Sequence, residues 1–101
     1  MSKNGDRSMT QKTASCTITV QNKLGLHARA SQQFAVVVNS FDADVRVTNG
    51  DLTVFGNETM ELLTLFAPIG TKLLLEATGP QADEVLEKLV ELINHKFGET
   101  T

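Results

Sequence analysis

The chain is poor in several features, and each scarcity excludes a class of protein. Its 101 residues include a single cysteine, Cys16, so an internal disulfide cannot form. No apolar run approaches the roughly 20 residues that a membrane-spanning helix needs. Residues 1–13 lack the apolar core of a signal peptide. We therefore predict a cytoplasmic protein that does not enter a membrane.

Basic residues and large aromatic residues are also scarce. Nine lysines and arginines face twelve acidic residues, which gives a formal net charge of -3. Nucleic acid is not an expected partner, because binding to phosphates normally needs a basic patch. With five phenylalanines and no tryptophan or tyrosine, aliphatic side chains must fill the core. The length suits one domain, which we predict over 14–101 after a polar, disordered tail over 1–13.

The first half of the chain changes its hydrophobic period twice. Polar and apolar residues alternate over 15–22, which predicts a strand. A helical spacing begins at Ala28. Two β-rich runs, 44–48 and 52–55, then flank Asn49-Gly50, a strong signal for a hairpin turn.

The second half predicts a short helix, a strand and a long helix. The short helix lies within 57–67 and is ended by Pro68 and Gly70. A strand over 71–78 and a helix over 81–97 follow. Among the apolar residues of the short helix, three are predicted to be core: Leu62, Leu65 and Phe66. The order β-α-β-β-α-β-α predicts an α+β fold, an open-faced sandwich of a four-stranded antiparallel sheet with three helices on one face.

The stretch over 22–31, NKLGLHARAS, carries the most chemistry. It places His27 at or just before a helix N-terminus, where the first backbone N–H groups lack helical partners and the dipole is positive. The dipole and Arg29 disfavour a second positive charge, so a neutral imidazole with a nitrogen free to attack is expected. An anion would meet the open N–H groups and the guanidinium. These features alone indicate anion binding, and a surface histidine without a function is the simpler alternative.

The motif GLHARAS, lying between the first strand and the first helix, resembles the HPr family of histidine-containing phosphocarriers. This family belongs to the phosphoenolpyruvate-dependent phosphotransferase system. The resemblance extends over about 15–98, and NKLGLHARAS, FDADV and EATGPQ are similar to the nitrogen-related branch and its proteobacterial relatives. It implies a carrier protein in a relay, not an enzyme, and no cofactor.

The resemblance also assigns roles to two residues and to the partners. By the family pattern, His27 accepts a phosphoryl group on Nδ1 from enzyme I and passes it to an acceptor of the enzyme IIA type. Arg29 stabilises the phosphate. The family usually has proline where this chain has Ala30, a good helix former. The protein is expected to be a monomer.

A second surface is implied on the short helix. The family equivalents of Thr59, Met60 and Leu63 form an apolar patch that docks partners, whereas the alternative is that every apolar residue here is core. Glu58 falls where many relatives carry a serine that an ATP-dependent kinase modifies. Its carboxylate is expected either to imitate a phosphoserine in part or only to cap the helix.

Two other functions were weighed against the carrier. The first is a regulatory module that binds proteins through the short helix, with His27 phosphorylation as a signal and not for sugar uptake. The second is a small hydrolase, for which His27 lacks a paired acid, serine or cysteine. No metal site is expected, because His27 and His95 lack the spacing or company of metal ligands.

Overall fold

The computed structural model describes residues 12–101, which form one sheet covered on one face by helices. The elements in chain order are β1 (Thr13–Thr19), α1 (Ala28–Asn39), β2 (Asp44–Asn49), β3 (Leu52–Phe55), α2 (Thr59–Leu63), β4 (Lys72–Thr78) and α3 (Ala82–Asn94), with a 3-10 turn at Lys96–Gly98. The order is the predicted one, and the α+β fold is confirmed. Within the described range, no helix combines the length and the apolar character needed to cross a membrane.

The four strands are antiparallel and lie in the order β1-β4-β2-β3. Ile18 pairs with Leu73, and Leu75 of the same central strand pairs with Val47, which itself faces Val54. All five side chains are buried, because successive residues of a strand point to opposite faces and these share the helix-covered face.

The helices close this core with one apolar stripe each. In α1 the stripe includes Phe34 and Val38, and in α3 it includes Val85 and Leu89. Phe97 follows α3 in the 3-10 turn and is also buried. Burying these stripes against the sheet stabilises helices that would be marginal alone.

Several predicted boundaries differ from the structure, among them the end of the last helix, which is Asn94 and not residue 97. β1 begins at Thr13, so the last residue assigned to the tail pairs with Thr78; residues 1–11 of that tail lie outside the described residues. The hairpin turn is Gly50-Asp51 and not Asn49-Gly50, since Asn49 still pairs with Leu52. Only Gly50 has a positive φ (62°) there, which matches a turn with glycine at its first central position.

Candidate functional site

The loop between β1 and α1 is fixed by close backbone contacts. The Leu26 N–H donates to the Ala67 carbonyl at 2.9 Å. Gly25 has a φ of +71°, and a Cβ there would lie 2.6 Å from the same carbonyl oxygen, so a side chain cannot fit. The buried Asn22 donates from Nδ2 to the Gly25 carbonyl at 2.8 Å. These contacts hold His27 at the start of α1.

His27 is the N-cap residue of α1 and caps the helix with its ring. Its backbone is extended (φ -83°, ψ -174°), and its carbonyl accepts from the Ser31 N–H at 2.8 Å. The ring Nδ1 accepts from the Arg29 N–H at 3.2 Å. A nitrogen that accepts a hydrogen bond presents its lone pair, so the proton of the neutral ring lies on Nε2. Nδ1 is therefore the nucleophilic nitrogen of this ring.

The other ring nitrogen contacts a carboxylate that the sequence prediction missed. Glu99 Oε2 lies 2.5 Å from His27 Nε2, and Glu99 Oε1 accepts from Asn22 Nδ2 at 3.0 Å. The hydrogen bond with His27 is the main cause that lowers the pKa of Glu99. Desolvation opposes this effect, while the Asn22 bond, the charge of the His27 ring when it is an imidazolium, and the charge of Arg29 assist it. Glu99 is thus an ionised acceptor for two donors.

A tight turn after α3 brings Glu99 to the histidine. Lys96, Phe97 and Gly98 have positive φ values of 55°, 57° and 79°. Left-handed backbone is unfavourable for residues other than glycine, and burial of the Phe97 side chain offsets part of that cost. Beyond Glu99, the main-chain oxygen of Thr101 accepts from the Lys23 N–H at 2.7 Å. The segment therefore lies against the loop that carries His27.

Arg29 presents its guanidinium to solvent beside His27. The residue is exposed, and no ion pair involves it anywhere in residues 12–101. Its backbone N–H and those of Ala28 and Ala30 are the first donors of α1, which have no helical acceptors. The Ala30 side chain is buried. An anion at Nδ1 would meet N–H groups of the first helical turn and the Arg29 guanidinium together.

The three residues predicted to form a docking surface on the short helix differ in their exposure to solvent. Met60 is 75% exposed, whereas Leu63 and Thr59 are half-buried. Leu62 and Leu65 are buried, as predicted. Met60 thus offers most of the apolar area of α2 to solvent.

Phe66 was predicted to be core, and this prediction is wrong. Its side chain is 87% exposed, and its φ is 54°. The helical spacing that placed it inside does not apply, because α2 already ends at Leu63. Phe66 and the exposed Leu24 line an open groove of about 440 Å³, together with Leu26, Ala67 and Pro68. This apolar groove borders the residue before His27.

Glu58 is the N-cap residue of α2 and not a member of its first turn. Its carbonyl accepts from the Leu62 N–H at 3.0 Å, but its side chain makes no capping hydrogen bond. The carboxylate that does bind backbone is Glu61, whose Oε1 accepts from the Phe55 N–H at 3.1 Å. Capping by a side-chain hydrogen bond therefore does not explain Glu58.

The second histidine lies away from this constellation. His95 is the C-cap residue of α3, and its Nδ1 lies 2.9 Å from the Glu91 carbonyl oxygen. Over residues 12–101, no three histidine, cysteine or acidic side chains come together as metal ligands.

The sequence predicted a histidine at a helix N-terminus beside an arginine, and the structure places His27 and Arg29 in this arrangement. A family model described as "PTS HPr component phosphorylation site" matches residues 14–95. The chain belongs to the HPr family of the phosphotransferase system.

Relatives of this HPr-family chain cover nearly all of the domain. It is 47% identical to phosphocarrier protein HPr of Pseudomonas aeruginosa over 83 residues, which are 81% of this chain and 92% of that protein. It is 36% identical to phosphocarrier protein NPr of Escherichia coli K12, covering 86% and 98%. The solved structure of HPr-C-His from Thermoanaerobacter tengcongensis superposes with a TM-score of 0.84 at 32% identity, covering 87% and 99%.

Both names, HPr and NPr, denote phosphocarrier proteins, so the predicted class of carrier and not enzyme is confirmed. The nitrogen-related name NPr is among the relatives, as the sequence motifs indicated. Because relatives named HPr are similar as well, the assignment to the nitrogen-related branch and its proteobacterial relatives stays a prediction.

The sequence prediction missed two features, the contact of Glu99 with His27 and the exposure of Phe66. No local signal marks Glu99, since its histidine partner lies 72 residues earlier in the chain. Phe66 carries no decisive signal either, because Pro68 restricts only the residue before it, Ala67, and that rule ends the helix at or before Ala67.

Proposed function

We propose that His27 of this HPr-family phosphocarrier accepts a phosphoryl group on Nδ1 from phosphorylated enzyme I. It then passes the group to an acceptor protein of the enzyme IIA type, and both steps occur in the cytoplasm. The observation that carries the proposal is the ring state of His27. Nδ1 faces the Arg29 N–H donor and Nε2 faces the Glu99 carboxylate, so the lone pair is on Nδ1.

The transfer uses the same helix end before and after the reaction. The Nδ1 lone pair attacks phosphorus, the bond between phosphorus and the donor atom breaks, and its electron pair stays on the donor. Nδ1 then no longer accepts from the Arg29 N–H, which lies 3.2 Å away in the free protein. This N–H can donate to a phosphoryl oxygen, and the Arg29 guanidinium adds a charge-assisted bond. Positioning and electrostatics of this kind carry most of the catalysis of phosphoryl transfer.

The partners are expected to contact the apolar surface of Met60, Leu63 and Thr59. Met60 is exposed and methionine adapts to several partners. The groove lined by Phe66 and Leu24 adds exposed apolar area beside the loop of His27. Contiguous apolar area at a surface is typical of a protein-binding site.

The absence of a serine at Glu58 bears on regulation. We propose that this carrier lacks the serine-directed switch of its relatives, because a carboxylate has no hydroxyl to phosphorylate. The Glu58 side chain makes no capping hydrogen bond and is exposed, so its carboxylate can imitate a phosphoserine in part.

A serine kinase of this system, with ATP, tests the register and the role of Glu58. Mass spectrometry is expected to show no phosphate on the wild type and one phosphate on Glu58→Ser. Phosphate on Thr59 of the wild type would show that the assumed register is wrong. If Glu58→Ser leaves the affinity for enzyme I and the phosphorylation of His27 unchanged, the mimicry is refuted.

The acceptor role is tested with phosphoenolpyruvate, enzyme I and intact-mass spectrometry. We expect the gain of one phosphoryl group that is labile in acid and stable in base, lost in His27→Ala and retained in His95→Ala. His95→Ala is the matched control, because it removes the other imidazole. Phosphate that persists in His27→Ala would refute the assignment.

A further inference from the structure

We infer that Glu99 is a positioning residue for phosphoryl transfer, whose carboxylate holds the proton of His27 on Nε2 in both the free and the phosphorylated ring. The inference rests on the proposed carrier function of His27. It concerns a residue that enters the site only through the fold.

The carboxylate of Glu99 has two oxygens, and each one meets a different donor. Oε2 lies 2.5 Å from His27 Nε2, and Oε1 accepts from Asn22 Nδ2 at 3.0 Å. The orientation of the Asn22 amide is fixed, because its nitrogen faces two oxygens, those of Glu99 and Gly25. Asn22 is fully buried. Glu99 is thus held by a rigid side chain on one side and faces the ring on the other.

These contacts determine which nitrogen of the free His27 ring has the lone pair. Moving the proton from Nε2 to Nδ1 would direct two N–H groups at each other, those of Nδ1 and of Arg29. It would also turn the Nε2 lone pair towards the carboxylate of Glu99. Both changes are repulsive, so Glu99 and the Arg29 N–H act together to leave Nδ1 open for attack.

The same carboxylate acts on the charge that appears during transfer. When the Nδ1 lone pair bonds to phosphorus, the ring keeps its Nε2 proton and becomes a phosphorylated imidazolium with one positive charge. Glu99 provides the opposite charge at that proton. In the onward step the bond from Nδ1 to phosphorus breaks, and its electron pair returns to Nδ1. A ring that has kept the Nε2 proton leaves as neutral imidazole, whereas a deprotonated ring would have to leave as an anion.

The ionised state of Glu99 is consistent with its surroundings. The charged groups that act on it are His27 and Arg29, both from the start of α1, and Asn22 adds a neutral hydrogen bond. Together they lower its pKa against the opposing effect of desolvation. Glu99 therefore stays a carboxylate over the neutral pH range.

Glu99→Gln tests the inference, because glutamine offers one acceptor oxygen where two donors need one each. Single-turnover transfer from enzyme I, transfer onward and hydrolysis of the phosphorylated carrier are followed by mass spectrometry from pH 6 to 9. We expect onward transfer and hydrolysis to be about tenfold slower near neutral pH, the effect of losing one charge-assisted bond. The fall of the hydrolysis rate with rising pH should begin about one pH unit lower in the variant, because tenfold corresponds to one unit.

Two controls separate the role of the proton from the packing of the segment. Glu87→Gln removes the same charge from an exposed position on α3 and should behave as the wild type. Exchange protection of the Lys23 amide, which donates to the main-chain oxygen of Thr101, should persist in Glu99→Gln and show that the segment remains in place. Nitrogen-15 NMR should find the wild-type proton on Nε2 and a mixture of ring tautomers in the variant.

The outcomes distinguish this inference from the proposed function. A wild type that gains no phosphate on His27 would overturn both. Phosphorylation of the wild type, with equal transfer rates, pH profiles and tautomers in Glu99→Gln, would overturn only the role of Glu99. Slower transfer that comes with loss of Lys23 protection and an unchanged pH profile would show that Glu99 merely anchors the segment, and would also overturn it.

Discussion

The two histidines of the chain lie at opposite ends of helices, and their rings are held in opposite states. His27 begins α1, and its Nδ1 accepts from the Arg29 N–H. His95 ends α3, and its Nδ1 lies 2.9 Å from the Glu91 carbonyl oxygen. A carbonyl only accepts, so Nδ1 of His95 must carry the proton. The helix end determines which ring nitrogen is free, because N–H groups point out at the start and C=O groups at the end.

The carboxylates near the two rings also differ, because only one of them contacts its histidine ring. Glu99 contacts Nε2 of His27 directly. The Glu91 carboxylate instead pairs with Lys88 at 3.0 Å, and this bond is the main cause that lowers its pKa. In His95 a backbone carbonyl occupies Nδ1, the nitrogen that would have to attack. In His27 the Glu99 carboxylate contacts Nε2, and Nδ1 keeps its lone pair. Both histidines cap a helix, but only the one at the start of α1 is a candidate nucleophile.

The largest effect is expected for Asn22→Asp, which would disrupt the contacts that hold Glu99 beside His27. The new carboxylate would be buried against the oxygens of Gly25 and Glu99, where the amide now donates to both. We expect a loss of about 3 kcal/mol or more in the free energy of unfolding. Transfer from enzyme I should slow by about 100-fold, since Glu99 is driven from the ring. Urea unfolding and single-turnover transfer measure the two effects.

The matched control for Asn22→Asp lies close to the other histidine. Asn94 is exposed, and its Oδ1 accepts from Gln21 Nε2 at 2.8 Å. Asn94→Asp keeps an accepting oxygen, so the free energy of unfolding should change by no more than about 0.5 kcal/mol. Similar losses for the two variants would contradict the assigned difference between the two sites.

Arg29→Ala is expected to slow transfer and to leave the fold intact. A charge-assisted bond to phosphate contributes about 1.5–3 kcal/mol, which corresponds to roughly a 10- to 100-fold loss of rate. The exposed guanidinium contributes little to folding. Lys88→Ala removes an exposed cation from α3, where Lys88 pairs with Glu91, and should leave the transfer rate unchanged. Equal rates for Arg29→Ala and wild type would remove Arg29 from the site.

Met60→Glu should reduce the affinity for enzyme I by about tenfold, with little change in melting temperature, because Met60 is mostly exposed. Leu74→Glu places the same charge on an exposed leucine of the sheet face that the helices leave open, and its affinity should match the wild type. Titration calorimetry and thermal unfolding measure both variants. A collapse of the melting temperature in Met60→Glu would show that Met60 is core, and equal affinity losses would show that docking is not confined to the His27 side.

The smallest effect concerns acid stability and compares the two carboxylates. The folded-state pKa of Glu99 lies below its usual value of 4.5, so its stabilising contribution is complete above about pH 4.5 and is lost as the pH falls through the lowered value. Glu99→Gln should therefore be less stable than wild type at neutral pH and equal to it in strong acid. Thermal unfolding between pH 2 and 7 measures the difference.

Glu91→Gln extends this comparison to the other histidine. The Glu91 pKa is also lowered, but by an exposed pair with Lys88. Its small stability difference should disappear in 1 M salt, where exposed charges are screened, whereas that of Glu99 should remain. If 1 M salt also removed the stability difference between Glu99→Gln and wild type, the contact of Glu99 with His27 would be an ordinary surface ion pair.

The sequence by itself determined the elements whose cause is local. The period-two run before Asn22 and the helical spacing after Ala28 placed β1 and α1, because side chains alternate in a strand and recur every 3.6 residues in a helix. The same local rules placed His27 at the start of a helix and Arg29 in its first turn. They were less successful where backbone conformation depends on neighbours. The hairpin turn moved to Gly50-Asp51, and Phe66 left the core when α2 ended early.

Only the tertiary structure decided how the histidine is held. Glu99 reaches His27 across 72 residues of sequence because the turn at Lys96–Gly98 reverses the chain after α3. Asn22 becomes a buried donor because the Gly25 loop packs against the backbone at Ala67. Neither contact has a local periodicity or motif, since each depends on where the sheet and helices bring distant segments together. The sequence determined which residue carries the imidazole, and the fold decided which of its nitrogens is free.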